Sequence, residues 1–451
     1  MDQPAPSDAA IAGHPRGLAY LAFTELWERF SYYGMTALLA LYMVQQLLTP
    51  GHAENVLGLA ALRSPFEFNG PIADQAFASL IFGWYSGLVY FTPILGGLIA
   101  DRLLGTKATV VLGALLMSAG HIAMAFDASF LIALGLLILG SGCLKGNISA
   151  QVGQLYPQAA ASLRAQGYAI FSAGINIGSV AGPLTCGAVA AAYGWHAGFG
   201  CAGALMIVAL IVYLAGQRHL PGGRPHSERP EYPPLTPAER QRTLLLILVI
   251  ALTILPFVSY SMIWNIGILW IAEHATLTTP LGAVPASWFN SVDAFFSVIA
   301  VPPLVALWRW QARRGREPSD IAKIGIGSAL TGASALFMVA GSLLAGPDGR
   351  TAVYWPLLCF AGMGVAFLYY WPVLLALVSQ AAPAKINATL MGGAFLALFV
   401  GSIAMGWVGS FYAGMSPAAF WLIDAAIGMT GGLIVLLLVG PLNRALRAPT
   451  A

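Results

Sequence analysis

Apolar stretches long enough to cross a bilayer recur along this chain. They lie near residues 17–48, 76–101, 107–126, 129–151, 163–192, 197–216, 243–272, 286–310, 321–345, 353–380, 386–412 and 418–442. About twenty residues of helix cover the hydrocarbon core, and each of these runs reaches that length. The expectation is an all-α integral membrane protein with twelve transmembrane helices. Composition supports lipid as the solvent: of 451 residues, 58% are hydrophobic and 9% charged, against roughly 25% charged in soluble domains. The mean hydropathy is +0.76. Residues 1–15 are polar and proline-bearing, and the run behind them is too long for a signal-peptide core, so no signal peptide is expected.

The longest polar gap is "GQRHLPGGRPHSERPEYPPLTPAERQR" at 216–242, rich in proline and charge. It predicts a linker between two six-helix halves, as in carriers built from repeats. The expected organisation is a tail at 1–16, a six-helix bundle at 17–216, a linker at 217–242, a second bundle at 243–442 and a tail at 443–451. Orientation follows from lysine and arginine. With the N-terminus in the cytoplasm, the inner loops collect Arg16, Arg102, Lys107, Arg164, the arginines of 218–242, the basic group from Arg309 to Lys323, Lys385, Arg444 and Arg447. The outer loops hold Arg63 and Arg350. Both termini are therefore expected in the cytoplasm.

Against this background the stretch "ELWERFSYYG" at 25–34 is out of place. Glu25, Glu28, Arg29, Tyr32 and Tyr33 fall within an arc of about 140° on one helix face. A charge at mid-membrane costs about 2.5–3.5 kcal/mol on insertion scales, so this face should look into a wet cavity or the bundle interior. An ion pair that only holds helices together is the plainer alternative, but it requires neither a second carboxylate nor two tyrosines. Lys145, midway through the fourth run in "GSGCLKGNISAQVGQLY", is too deep to snorkel easily and calls for a carboxylate partner. In "GGLIADRLLG" at 96–105, small residues let helices approach while Asp101 and Arg102 sit at the membrane surface, a pattern suited to a conformational latch. Cys143, Cys186, Cys201 and Cys359 all lie in apolar runs and read as small packing residues, with neither a disulfide framework nor a metal site.

These motifs resemble the proton-coupled oligopeptide transporters, a branch of the major facilitator superfamily. Residues 25–34 match that family's ExxERFxYYG pattern. The likeness continues through "GGLIADRLLG", "LKGNISAQVGQLY" (Gly146 stands where the family usually has proline), "IFSAGINIGSVAGP" and "YGWHAGFGCAGALM". The resemblance implies the major facilitator fold and a proton-driven symporter of di- or tripeptides, working by alternating access around a central site. It implies that Glu25, Glu28, Arg29 and Lys145 couple protons. Arg29 and Lys145 would also bind substrate, with Tyr32, Tyr33, Tyr90, Asn147 and Asn176 lining the pocket. It implies a monomer in the cell inner membrane, driven by the proton gradient with no cofactor, and with no nucleic-acid partner.

The C-terminal half departs from the family. Thr36 stands where the family often has arginine, and Asn265 falls where its seventh-helix partner glutamate is expected; losing both charges suggests a gate of neutral contacts. Phe367 aligns with the tenth-helix glutamate that meets a peptide's amino group, Ala394 with a tryptophan, and Asp293 with an asparagine. Two additional helices common in bacterial members are missing. Asp293 and Asp424 are the acidic residues within the helices of this half, and Asp424 lies in the last run, which in this fold usually stays outside the cavity. Asp293 is thus the candidate for a cationic group on the substrate, the alternative being a hydrogen bond to a neighbouring helix. Tyr369, Tyr370 and Trp371 line the pocket or pack. A carrier of the same fold that moves a non-peptide metabolite or exports a drug is the other functional reading. The chain offers no HExxH, no nucleophile with a plausible base and no repeated filter residues, which argues against an intramembrane enzyme or a channel.

Overall fold

The computed structural model describes residues 13–68, 70–157, 160–222, 234–279 and 282–447. Residues 1–12, 223–233 and 448–451, which hold parts of both expected tails and of the expected linker, lie outside the described residues. The apolar runs form helices. α1 (Arg16–Tyr42) passes into a π turn at Met43–Leu47, and α2 (Asp74–Ile99) into another at Ala100–Leu104. α3 (Gly105–Ala123), α4 (Phe130–Gln154), α5 (Ala161–Tyr193) and α6 (Trp195–Gly216) follow. The seventh run is broken into α7 (Pro237–Leu252), α8 (Ile254–Met262), a π turn at Ile263–Gly267 and α9 (Ile268–His274). The eighth divides into α10 (Phe289–Ile299) and α11 (Val301–Arg313), and α12 (Asp320–Leu343), α13 (Tyr354–Ala381), α14 (Asn387–Gly409) and α15 (Pro417–Arg447) complete the chain.

Local chemistry sets several of these ends. Thr236 and Glu239 form a reciprocal capping box, with Pro237 at the first helical position, so α7 starts inside the polar stretch. Gly194, at φ +89°, turns the chain between α5 and α6 in a conformation most side chains avoid. Among the described residues, ten stretches are long and apolar enough to cross a membrane. One of them, Asp74–Ala123, takes in both α2 and α3, and charge-bearing α1 is not among the ten. The chain is an all-helical, multi-pass membrane protein.

Two compact units are present. Unit 1 comprises Met1–Tyr42, Gln46–Pro65 and Phe91–Arg229; unit 2 comprises Met43–Gln45, Phe66–Tyr90 and Pro230–Ala451. Glycines bring the helices of unit 1 into backbone contact. A Cβ on Gly178 of α5 would lie 2.6 Å from the Leu26 carbonyl oxygen and 2.8 Å from Arg29 Cβ. One turn on, Gly182 meets Phe30 and Gly34 of α1 in the same way. This spacing of small residues is how membrane helices approach closely without a hydrophobic driving force. Gly142 of α4 is pressed as tightly on Thr92 of α2, where a Cβ would lie 2.5 Å from Thr92 Cβ. In unit 2, Gly364 of α13 lies against the backbone of Asp293 and Ser297 in α10.

Bulk at the α1–α5 crossing should therefore be costly. Gly182→Val is expected to destabilise the purified protein by about 1–3 kcal/mol, the range for overpacking. Gly200→Ala, where nothing lies within 4 Å of the added carbon, should melt with the wild type. Equal thermal midpoints for both variants would show that α1 and α5 do not meet as described.

Candidate transport site

In unit 1, α1 carries a buried charge cluster. Arg29 Nε lies 3.0 Å from Glu25 Oε1 and 2.5 Å from Glu28 Oε2. Glu25, Glu28 and Arg29 are 4%, 0% and 6% exposed. These are ion-pair distances without hydrogen-bond alignment: Arg29 Nε and Nη2, both Glu28 oxygens and Glu25 Oε2 have no hydrogen-bond partner. The cluster is neutralised in part, yet it retains capacity to bond another group. Phe30, Leu38 and Leu41, on the other side of α1, are buried as well, so that side meets neighbouring helices.

Tyr32 links the cluster to the fourth run. Lys145 Nζ stands 4.0 Å from the centre of the Tyr32 ring, and Arg29 Cζ 5.4 Å from it. The Tyr33 ring is 5.2 Å from that of Tyr32, edge to face. Lys145 is within electrostatic reach of Glu25, Glu28 and Arg29. The structure thus gathers Glu25, Glu28, Arg29, Tyr32, Tyr33 and Lys145 into one place. Asn147 donates its amide hydrogens to the Gly96 and Cys143 carbonyls at 3.2 and 2.8 Å, which ties α4 to α2. Asn176 is exposed on α5, and Asp101 and Arg102 are exposed on the π turn after α2.

In unit 2, Tyr90 packs edge-on against Phe257, 5.9 Å between centroids. Asp293 is 2% exposed and accepts a 2.8 Å hydrogen bond from the Tyr260 hydroxyl. The Tyr260 ring lies 5.2 Å from Phe367, which in turn lies 5.7 Å from Tyr370. Of the aromatic trio, Tyr370 joins this neighbourhood, whereas Tyr369 packs on Trp308 and Trp371 on Phe395. Asn265 donates to Ser79 Oγ at 2.6 Å and approaches Met405 Sδ at 3.2 Å; its contacts are neutral. Thr36 instead turns its hydroxyl back to the Tyr32 carbonyl, 2.8 Å away, and Ala394 is fully buried.

Sequence reasoning missed Tyr260. The signal available was a tyrosine inside an apolar run, whose hydroxyl needs a partner once buried. It also missed the Ser259 hydroxyl's 3.1 Å bond to Asp424 Oδ2. Elsewhere in unit 1, His121 meets Ser31 at 2.7 Å, and Asp127 bonds Tyr42, His52 and His196. The first joins α1 to α3, and the Asp127 contacts pin helix ends and loops together. All four cysteines are unbridged. Among the described residues, no group of three His, Cys, Asp or Glu side chains is placed to hold a metal.

A multi-pass helical membrane protein with a paired charge cluster buried in one unit and a buried acid in the other has the build of a membrane transporter. Comparison with known proteins gives the family. Residues 107–230 and 235–422 match the model of the POT family. A di-/tripeptide transporter of Lactococcus lactis subsp. cremoris is 32% identical, with 97% of each chain covered. The peptide transporter YePEPT of Yersinia enterocolitica is 26% identical over 97% of this chain and 96% of its own. The crystal structure of a POT peptide transporter in complex with alafosfalin matches with a TM-score of 0.86 at 26% identity, covering 98% of each chain. The chain belongs to the POT family of transporters.

Proposed function

We propose that this chain is a proton-coupled symporter of di- and tripeptides or peptide-like small molecules, working by alternating access. The observation that carries the reading is the buried set of Glu25, Glu28 and Arg29, with Lys145 over Tyr32 beside it. Glu25, Glu28, Arg29 and Lys145 form the proton-coupling group, and Arg29 and Lys145 also bind the substrate carboxylate through charge-assisted hydrogen bonds. Tyr32, Tyr33, Tyr90, Asn147 and Asn176 supply phenol and amide groups to the peptide backbone. Asp293 receives the substrate's amino group, and Asp101 and Arg102 act as a conformational latch. The chain has twelve membrane helices, two six-helix bundles at 17–216 and 243–442, and both termini in the cytoplasm. It works as a monomer in the cell inner membrane and needs no cofactor. The peptide transporters among its relatives and the alafosfalin complex support a peptide-like substrate.

The decisive experiment is uptake of a labelled dipeptide into proteoliposomes with an imposed pH gradient. Acid-stimulated accumulation supports the reading, whereas transport of only non-peptide compounds across a substrate panel favours the other carrier class.

Three variants dissect the mechanism. Glu28→Gln should keep the fold and still exchange substrate, but lose accumulation driven by the gradient. Wild-type driven uptake would remove Glu28 from the coupling.

Lys145→Ala should abolish driven uptake, and Lys145→Arg should restore little of it. A desolvated lysine can release its proton, whereas arginine effectively cannot. Full activity in the arginine variant would show that a fixed positive charge suffices.

Asp293→Asn should weaken free-amine substrates by about 1.5–3 kcal/mol, the range for hydrogen bonds to charged groups. N-acylated analogues should lose far less. Equal losses for both classes, or none, would place amine recognition elsewhere and leave Asp293 as a packing residue bonded to Tyr260.

A further inference from the structure

Where α1 begins and α6 ends, unit 1 carries a groove of about 450 Å³ that plays no part in the transport site. It is lined by Arg16, Tyr20 and Phe23 of α1, by Val212 of α6, and by Arg218 and His219 in the turn that follows. Two glycines build it. A Cβ on Gly216 would lie 2.5 Å from Tyr20 Cγ, and one on Gly17 would lie 2.6 Å from the His219 carbonyl oxygen. Only hydrogen at those positions lets the turn at Gln217–His219 seat on the first turns of α1. Once seated, the His219 ring stacks on Tyr20, with centroids 5.6 Å apart and planes 10° from parallel. Backbone contact thus holds Arg218 and His219 beside Arg16, and among the described residues no acidic side chain lines the groove.

The groove has two chemically distinct ends. Arg16 and Arg218 are exposed at the helix ends. Toward the middle of the helices the lining is apolar, with Phe23 55% exposed and Val212 beside it on α6. On a membrane-spanning helix such side chains face hydrocarbon. A small soluble anion would use the cationic end alone and leave Phe23 and Val212 idle. An anionic headgroup joined to an acyl chain uses both, and basic pockets between membrane helices have this chemistry.

We propose that the groove between α1 and α6 is a binding site for an anionic phospholipid, its phosphate held by Arg16 and Arg218 and its acyl chain lying along Phe23 and Val212. His219 Nε2 accepts from Arg218 Nε at 3.1 Å and so positions that guanidinium. With the N-terminus in the cytoplasm, as proposed above, the lipid belongs to the inner leaflet. The site does not otherwise depend on what the protein carries.

The test uses the full chain purified in a non-ionic detergent, with native mass spectrometry read against added phosphatidylglycerol, phosphatidylcholine of the same acyl chains, or inorganic phosphate. Phosphatidylglycerol should bind about thirtyfold more tightly than phosphatidylcholine, from roughly 1 kcal/mol per arginine. The double variant Arg16→Gln, Arg218→Gln, which alters two exposed side chains, should lose about thirtyfold in phosphatidylglycerol affinity, from roughly 1 kcal/mol per arginine near a membrane surface. Its affinity for phosphatidylcholine, whose choline offsets the charge of the phosphate, should fall far less. Equal binding of the two lipids, or undiminished phosphatidylglycerol binding by the double variant, overturns the proposal. Displacement of phosphatidylglycerol by equimolar inorganic phosphate also overturns it, because the site would then be one for a free anion.

Discussion

Arg29 held between Glu25 and Glu28 inside a membrane helix is the interaction around which unit 1 is arranged. Each of these charges is costly in hydrocarbon, and their mutual pairing offsets much of that cost. Two carboxylates and one guanidinium still leave one negative charge, and Lys145 brings the set to neutrality. The helix crossings serve this arrangement. Gly178 and Gly182 let α5 approach α1 at Arg29 and Phe30, and Gly142 seats α4 on α2 one turn before Lys145. Glu25, Glu28 and Arg29 share one helix, so it is Lys145 that depends on helix packing to join them.

The proposed coupling follows from that charge count. A substrate carboxylate that engages Lys145 or Arg29 takes positive charge away from the glutamates. The carboxylate left over must then take up a proton or find water, since an unpaired buried charge costs several kcal/mol. The unsatisfied oxygens of Glu25 and Glu28 mean that the cluster is not sealed by hydrogen bonds. A fully bonded network would resist such exchange, and this one has room for it.

The helices and the α1 cluster were legible in the sequence because both rest on periodicity and on the energetics of burial. Apolar length finds most of the helices, though it neither divides α2 from α3 nor singles out α1, and a spacing of three and four residues places Glu25, Glu28, Arg29 and Tyr32 on one face whatever packs against it. Features that depend on neighbouring helices were not legible. Asn147 has the look of a pocket amide, but Gly96 brings a helix carbonyl within its reach and claims one of its hydrogens. The segment "TPAER" reads as linker because proline and charge suggest loops, although Thr-Pro-Ala-Glu is also a capping box, and α7 starts there. The π turns at Met43–Leu47, Ala100–Leu104 and Ile263–Gly267 have no compositional mark. They arise where packing demands an extra residue in the turn.

The break before α8 and the π turn after it leave a nine-residue segment, Ile254–Met262, whose orientation decides the chemistry of unit 2. Adjacent residues on a helix point about 100° apart, so Ser259 and Tyr260 reach different helices, Asp424 on α15 and Asp293 on α10. Neither acid has a cationic partner among the described residues; Asp424 is met by a neutral hydroxyl, and Asp293 by the Tyr260 hydroxyl and the Trp264 indole. A neutral donor satisfies one lone pair and supplies no charge, so a buried acid bonded in this way retains affinity for a cation that can reach it. Access separates the two. Ser259 is fully buried, so the Asp424 contact is closed off and serves to fasten α15 to α8. Tyr260 is half-buried and packs against half-buried Phe367, where the family's amine-binding glutamate would stand. The departure at Phe367 and the acid at position 293 therefore meet on the same tyrosine. The proposed amine site thus lies on α10 rather than α13, at an acid that shares Tyr260 with Phe367.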